Sequence, residues 1–342
     1  MKKRIVWIDF LSILAAICVV ALHCNNCFWG YADTPEWKSS VFIETIAYWA
    51  VPIFFMVSGA KLIDYRDKYS TKDFFIKRFV KIVIPYIIFT TIFIVVNFIK
   101  TKTSPTFANI VDTFVNGKAS VYWFFIPLFM VYLMIPVVSL IPKEKRKKVY
   151  SYIILISFII NSILPLLGSL IGFNLSLDMY SSSFSGYLAY ALLGYLLMNE
   201  IVLTKKKQIV IYVLGILGFA ARLIYILVYG KQKGQVGTLL NGYNQPTTFF
   251  YALSIFVFFR YVVSKWTDKI TNVKVIKVIS TISACGFGVY LIHGYFVYDI
   301  PGWFGFSGTS FVYRFLMPIP IFACCALIVY IIKKIPIIKH IL

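Results

Sequence analysis

Charge is scarce in this sequence, and acidic charge is scarcest. Only 14% of the 342 residues are charged, with 13 Asp and Glu against 34 Lys and Arg. A soluble domain carries about 25% charged residues, so a water-facing surface of ordinary size is excluded. Histidine is limited to three positions, which confines any imidazole chemistry to very few side chains. The six cysteines do not form a disulfide framework. Cys18, Cys285, Cys324 and Cys325 sit in apolar runs as packing residues. Cys24 and Cys27 form a Cys-x-x-Cys pair beside His23, but no second pair of ligands stands nearby, so no metal site is expected. There is no Gly-rich phosphate loop of the Walker type, which argues against an ATP-driven step. No linker, low-complexity tract or clear internal repeat divides the chain, so residues 1–342 read as a single domain. No small-x-small cleavage site follows the first apolar run, which is therefore expected to remain as a span.

Hydrophobic residues make up 60% of the chain, and they come in runs near the length a helix needs to cross the hydrocarbon layer. Ten such runs lie at about 5–24, 41–63, 79–99, 121–141, 149–171, 184–200, 208–229, 246–264, 279–298 and 311–332. The fold class expected is all-α: a polytopic membrane bundle of about ten helices with both termini cytoplasmic. That orientation follows from charge. Most of the Lys and Arg residues fall in alternate loops, including Lys61 to Lys81, Lys143 to Lys148 and Arg260 to Lys277. Lys38, Lys100, Lys102, Lys118, Lys231 and Lys233 fall on the other side. This is the positive-inside pattern. The net charge of +21 thus serves orientation and contact with anionic membrane lipids, and nucleic acid is not an expected partner.

Ionisable residues within apolar helices are costly and are candidates for function. Asp9 and His23 are fourteen residues apart on the first run, about 21 Å along a helix and within about 40° of one face. Ser12, Ala16 and Val20 fill the stripe between them. Asp9 reads either as a headgroup or helix-dipole contact or as part of a cavity, and His23 either as an interfacial residue or as a base. Glu44 opens the second run at a depth similar to His23. It reads either as an exposed first-turn acid or as the carboxylate that orients the imidazole. Arg222 and His293 lie at comparable depth in later runs, and Arg222, which cannot shed its charge, must face protein, water or an anion.

The order of several short motifs is similar to that of the acyltransferase-3 family of bacterial membrane proteins. Trp7-Ile8-Asp9-Phe10-Leu11 opens a helix ending in Leu22-His23, and Phe54-Phe55 precedes Ser58-Gly59. Phe74-Phe75-Ile76-Lys77-Arg78-Phe79 leads to Ile84-Pro85-Tyr86. Tyr122-Trp123-Phe124, Gly186-Tyr187 with Leu193-Gly194-Tyr195, and Gly288-Val289-Tyr290-Leu291-Ile292-His293 follow in the family's order. The resemblance covers nearly the whole chain. It implies transfer of an acetyl, succinyl or similar group from cytoplasmic acyl-CoA to a cell-surface or lipid-linked carbohydrate, with no permanently bound cofactor. It implies a place in a bacterial plasma membrane and a possible link to a glycan biosynthesis or export complex. By position, His23 matches the catalytic histidine, and Glu44, read from its similar depth, is the residue expected to assist it. Arg78, Ser58, Gly59 and Arg222 would bind the donor, and Asp9, Trp123, Tyr290 and His293 would line the cavity or meet the acceptor.

One position departs from the family. An arginine is common eleven residues before the histidine, and here that residue is Ser12. Either another cation such as Arg222 supplies the charge, or the donor site differs, or activity is lost. Topology raises a second choice, because CoA is cytoplasmic and His23 lies near the other face. Either the donor's pantetheine arm reaches into the bundle, or the acyl group is relayed through an intermediate. The alternative function is a secondary transporter of an amino acid, acyl metabolite or glycan intermediate. Paired broken helices in two halves would favour it, and no convincing inverted repeat is present.

Overall fold

The structure, a computed structural model, describes residues 4–119, 121–172, 186–305 and 307–336. Among these there is no β-strand, and the chain is a succession of helices. Seven are long and apolar enough to cross a membrane. They are α1 (Val6–Cys24), α2 (Pro35–Asp67), α3 (Thr71–Thr101), α6 (Lys143–Leu170), α8 (Lys205–Lys233), α9 (Pro246–Thr267) and α10 (Val273–Phe304). Between and after them lie α4 (Phe107–Val115), α5 (Tyr122–Val138), α7 (Gly186–Tyr195) and α11 (Pro318–Ile332). The runs expected at 121–141, 184–200 and 311–332 thus fall on shorter helices. A helix the length of α5 rises only about 25 Å, short of the roughly 30 Å hydrocarbon layer. The first two residues of the run at 184–200 lie outside the described residues.

Proline shapes the long helices. α2 starts at Pro35, a residue suited to a first turn, with the Thr34 hydroxyl accepting from the Trp37 N–H at 3.3 Å. It breaks between Ala47 and Ala50, because Pro52 has no N–H to give the Tyr48 carbonyl. Elsewhere a single π-helical turn takes up the misfit before a proline. Phe79–Val83 precedes Pro85, and Ile159–Ile163 precedes Pro165.

The core forms where α2 crosses α7. At this crossing a Cβ on Gly59 would stand 1.8 Å from the Ala191 carbonyl oxygen, and one on Gly194 would stand 2.0 Å from that of Met56. Two glycines on facing helices let the backbones meet, the same device that packs small residues between membrane helices. α1 packs against α10 and α2, and α10 against α11. Inside this frame α1, α2, α5 and α10 surround an elongated space.

Candidate active site

That space is a cavity of ≈ 590 Å³. From α1 it is lined by Ser12, Ala16, Val20 and His23, the face on which the sequence had placed them. From α2 it is lined by Glu44, Tyr48, Val51, Phe54, Ser58 and Lys61, and from α10 by Ser283, Gly286, Tyr290 and His293. Successive lining residues recur every three or four positions, so each helix offers one face along several turns. Glu44 and Lys61 are seventeen residues apart on α2, so the cavity runs roughly 25 Å from a His23 end to a Lys61 end.

At the His23 end two imidazoles meet. His293 Nε2 lies 3.0 Å from His23 Nδ1. His293 Nδ1 lies 2.8 Å from the Tyr290 carbonyl oxygen and 3.1 Å from that of Val289. A peptide carbonyl can only accept, so His293 carries its proton on Nδ1 and presents a lone pair at Nε2. His23 must then donate from Nδ1, which leaves the lone pair of the neutral ring on its Nε2. His293 is fully buried while His23 is half-buried against the cavity. A fixed tautomer with an unshared Nε2 is what a general base requires.

Glu44 lines the cavity but does not orient His23. Its Oε2 accepts from Asn25 Nδ2 at 3.3 Å, and the same amide donates to the Ser40 carbonyl at 2.8 Å. Asn25 follows α1 directly, so its amide lies between the histidine's helix and α2. The orienting partner of His23 is His293, which the sequence suggested only as a cavity residue. Their separation of 270 positions hides the pair from any local pattern.

Arg222 is 2% exposed and lies outside the cavity lining. Its Nη1 donates to the Glu44 carbonyl at 3.0 Å and its Nη2 to Asn241 Oδ1 at 2.6 Å. Its guanidinium stands 3.7 Å above the Tyr48 ring. Tyr48 stacks on Tyr243 at 4.2 Å, and Tyr243 on Trp123 at 5.4 Å. The three stacked rings all line the cavity, and Arg222, expected to bind the donor, stands behind them and outside the lining. Tyr290 is fixed by donation from its hydroxyl to the Val121 carbonyl at 2.5 Å.

Toward the Lys61 end, Asp9 is buried behind the lining. It pairs with Arg4 at 2.6 Å and accepts from the Ser283 hydroxyl at 2.9 Å. Ser58 faces the cavity, whereas Gly59 faces α7 at the helix crossing, where its missing side chain lets the two backbones meet. Arg78 stands beside the lining: its guanidinium lies 5.8 Å from the Tyr132 ring centroid, and Tyr132 lines the cavity. Ser12 lines the cavity, and among the described residues its side chain bonds only back to the Ile8 carbonyl at 2.7 Å. Lys61 is the one Lys or Arg among the described residues that lines the cavity, as Ser12 does. Its spacing from Phe54 and Ser58 on α2 is the signal in the sequence, masked by the basic loop that follows it.

A family model described as an acyltransferase domain matches residues 5–333. No curated protein and no solved structure matches the chain.

Proposed function

Because the chain belongs to the acyltransferase-3 family, whose model spans nearly all of it, we propose that this membrane acyltransferase moves an acetyl or succinyl group from cytoplasmic acyl-CoA to a hydroxyl of a cell-surface or lipid-linked carbohydrate. It does so as one domain in a bacterial plasma membrane, with about ten crossings and both termini cytoplasmic. The Lys61 end of the cavity then faces the cytoplasm, where most of the basic residues lie. The observation that carries the reading is the single cavity shared by Lys61 and His23. It supports delivery of the acyl thioester along the cavity to the base, so that no second acyl carrier is needed.

The chemistry follows from the tautomers. His23 Nε2 takes the proton of an acceptor hydroxyl as that oxygen attacks the thioester carbonyl. The imidazolium that forms keeps its Nδ1–H on His293 Nε2, a hydrogen bond that strengthens as the charge develops. Collapse of the tetrahedral intermediate breaks the carbon–sulfur bond, and the CoA thiolate leaves with the proton returned by His23. Lys61 in the cavity and Arg78 beside Tyr132 meet the donor's phosphates, and the aromatic wall of Trp123, Tyr243 and Tyr48 packs against the sugar.

The test is transfer in isolated membranes. Vesicles carrying the wild type, given radiolabelled acetyl-CoA and the cell's own glycan fraction, gain base-labile label, and His23→Ala vesicles do not. A cavity of this length also suits a transporter, and solute passage without label transfer would favour that reading.

A further inference from the structure

Glu44 is the one acidic side chain among the described residues that lines the cavity, and it is 5% exposed. Its carboxylate has few partners. Asn25 donates to Oε2, and no described residue donates to Oε1. Arg222 makes no ion pair with the carboxylate among the described residues: its Nη atoms donate to the Glu44 carbonyl and Asn241, and its Nε has no partner there. A carboxylate accepts about four hydrogen bonds, and leaving those sites empty in a buried setting is costly. The hydroxyls of Tyr48 and Tyr243, which line the same end, have no hydrogen-bond partner among the described residues either. Acceptor oxygens, free hydroxyls and a stacked aromatic wall therefore converge beside His23. Lys61, the cavity's only Lys or Arg among the described residues, lies at the opposite end.

We infer that Glu44, with the hydroxyls of Tyr48 and Tyr243, selects the acceptor sugar. The carboxylate receives a hydrogen bond from a hydroxyl or amino group neighbouring the hydroxyl that His23 deprotonates. The site takes neutral or amine-bearing sugars and turns away sugars that carry a ring carboxylate. This rests on reading the cavity as a transferase site. Two reasons support the selectivity. A site built to bond a substrate hydroxyl or N–H rejects an analogue that leaves the protein group bare. A second carboxylate beside Glu44 meets like-charge repulsion in a medium of low dielectric constant, while Arg222, the cation behind that end, is screened from the cavity by the Tyr48 ring and held by the Glu44 carbonyl and Asn241. The charge layout also separates the two substrates, with the anionic donor drawn to the Lys61 end and held off the Glu44 end.

The test is binding to the full-length protein in detergent micelles without any acyl donor, by saturation-transfer NMR. The probes are methyl glucoside, glucosamine and glucuronate. The wild type is expected to bind the first two and to bind glucuronate at least about tenfold more weakly. Glu44→Gln, nearly isosteric, should narrow that gap to about threefold or less. Equal binding of all three probes, binding of none, or a gap unchanged in Glu44→Gln would each overturn the inference. The wild-type comparison needs no variant, so a misfolded mutant leaves it standing. The two readings fail separately. Selective binding with no His23-dependent acylation leaves the site and removes the transferase, and acylation without selectivity does the reverse.

Discussion

At the His23 end of the cavity the reactive group is held from behind, whereas at the Lys61 end the charged group is not. His23 bonds to His293, and His293 in turn bonds to two carbonyls of its own helix. Lys61 is exposed to the cavity and has no hydrogen-bond partner among the described residues, and Ser12 bonds only to a carbonyl of its own helix. The difference matches what each end would do in the proposed transfer. Proton transfer needs a base at hydrogen-bond distance with its lone pair aimed, so its geometry has to be built in advance. An ammonium on a flexible stem is a point charge that can follow a phosphate, and needs less preparation.

The strongest way to break this comparison is to remove the base. His23→Ala is expected to lower transfer by about 10²–10⁴-fold, the usual contribution of a general base, with donor binding retained. If KM for acyl-CoA rises as much as kcat falls, His23 serves binding and the two ends are not distinct. Next in size is the residue behind the base. His293→Ala should lower kcat by roughly 10–10²-fold, the scale of a charge-assisted hydrogen bond. His293→Gln, which can still accept from His23 Nδ1, should recover part of that loss. Nitrogen-15 NMR of labelled histidine gives a readout that a merely structural role would not move. His23 should hold its proton on Nδ1 in the wild type and lose that preference in His293→Ala.

Those two residues also mark how far sequence alone could reach. The stripe of Ser12, Ala16, Val20 and His23 was legible because helical periodicity is local and all four sit on one helix. Trp123, Tyr290 and His293 were reachable through motif order, and they do line the cavity. The partner of His23 was not legible, since it comes from a helix near the other end of the chain. Glu44 shares only its depth with His23, and depth cannot tell which of two neighbours a side chain meets. Gly59 sits inside a motif that faces the cavity at Ser58 and the neighbouring helix one residue later, a rotation of about 100°. Apolar runs located the helices, but proline-linked breaks and π turns, which set where each helix bends or ends, leave only a weak trace in hydropathy.

The smaller effects sharpen the other side of the comparison. Lys61→Ala should raise KM for acyl-CoA about tenfold with little change in kcat, as for an interaction made equally in ground and transition states. Lys61→Arg should restore most of it, and a fall in kcat instead would place Lys61 at the chemistry. Smallest is Ser12→Arg in the Lys61→Ala background, expected to regain about threefold in donor KM by returning a cation to the same cavity. No recovery would mean that the Ser12 face does not meet the donor.

The most direct measurement is the ester-linked acyl content of surface glycan in three strains: a deletion, the deletion complemented with wild type, and the deletion complemented with His23→Ala. Acyl esters restored by wild type but not by His23→Ala, at equal protein levels in the membrane, are the predicted result. Unchanged acylation in all three, with glycan export or solute uptake reduced in the deletion, would contradict the transferase account and leave a transporter in its place.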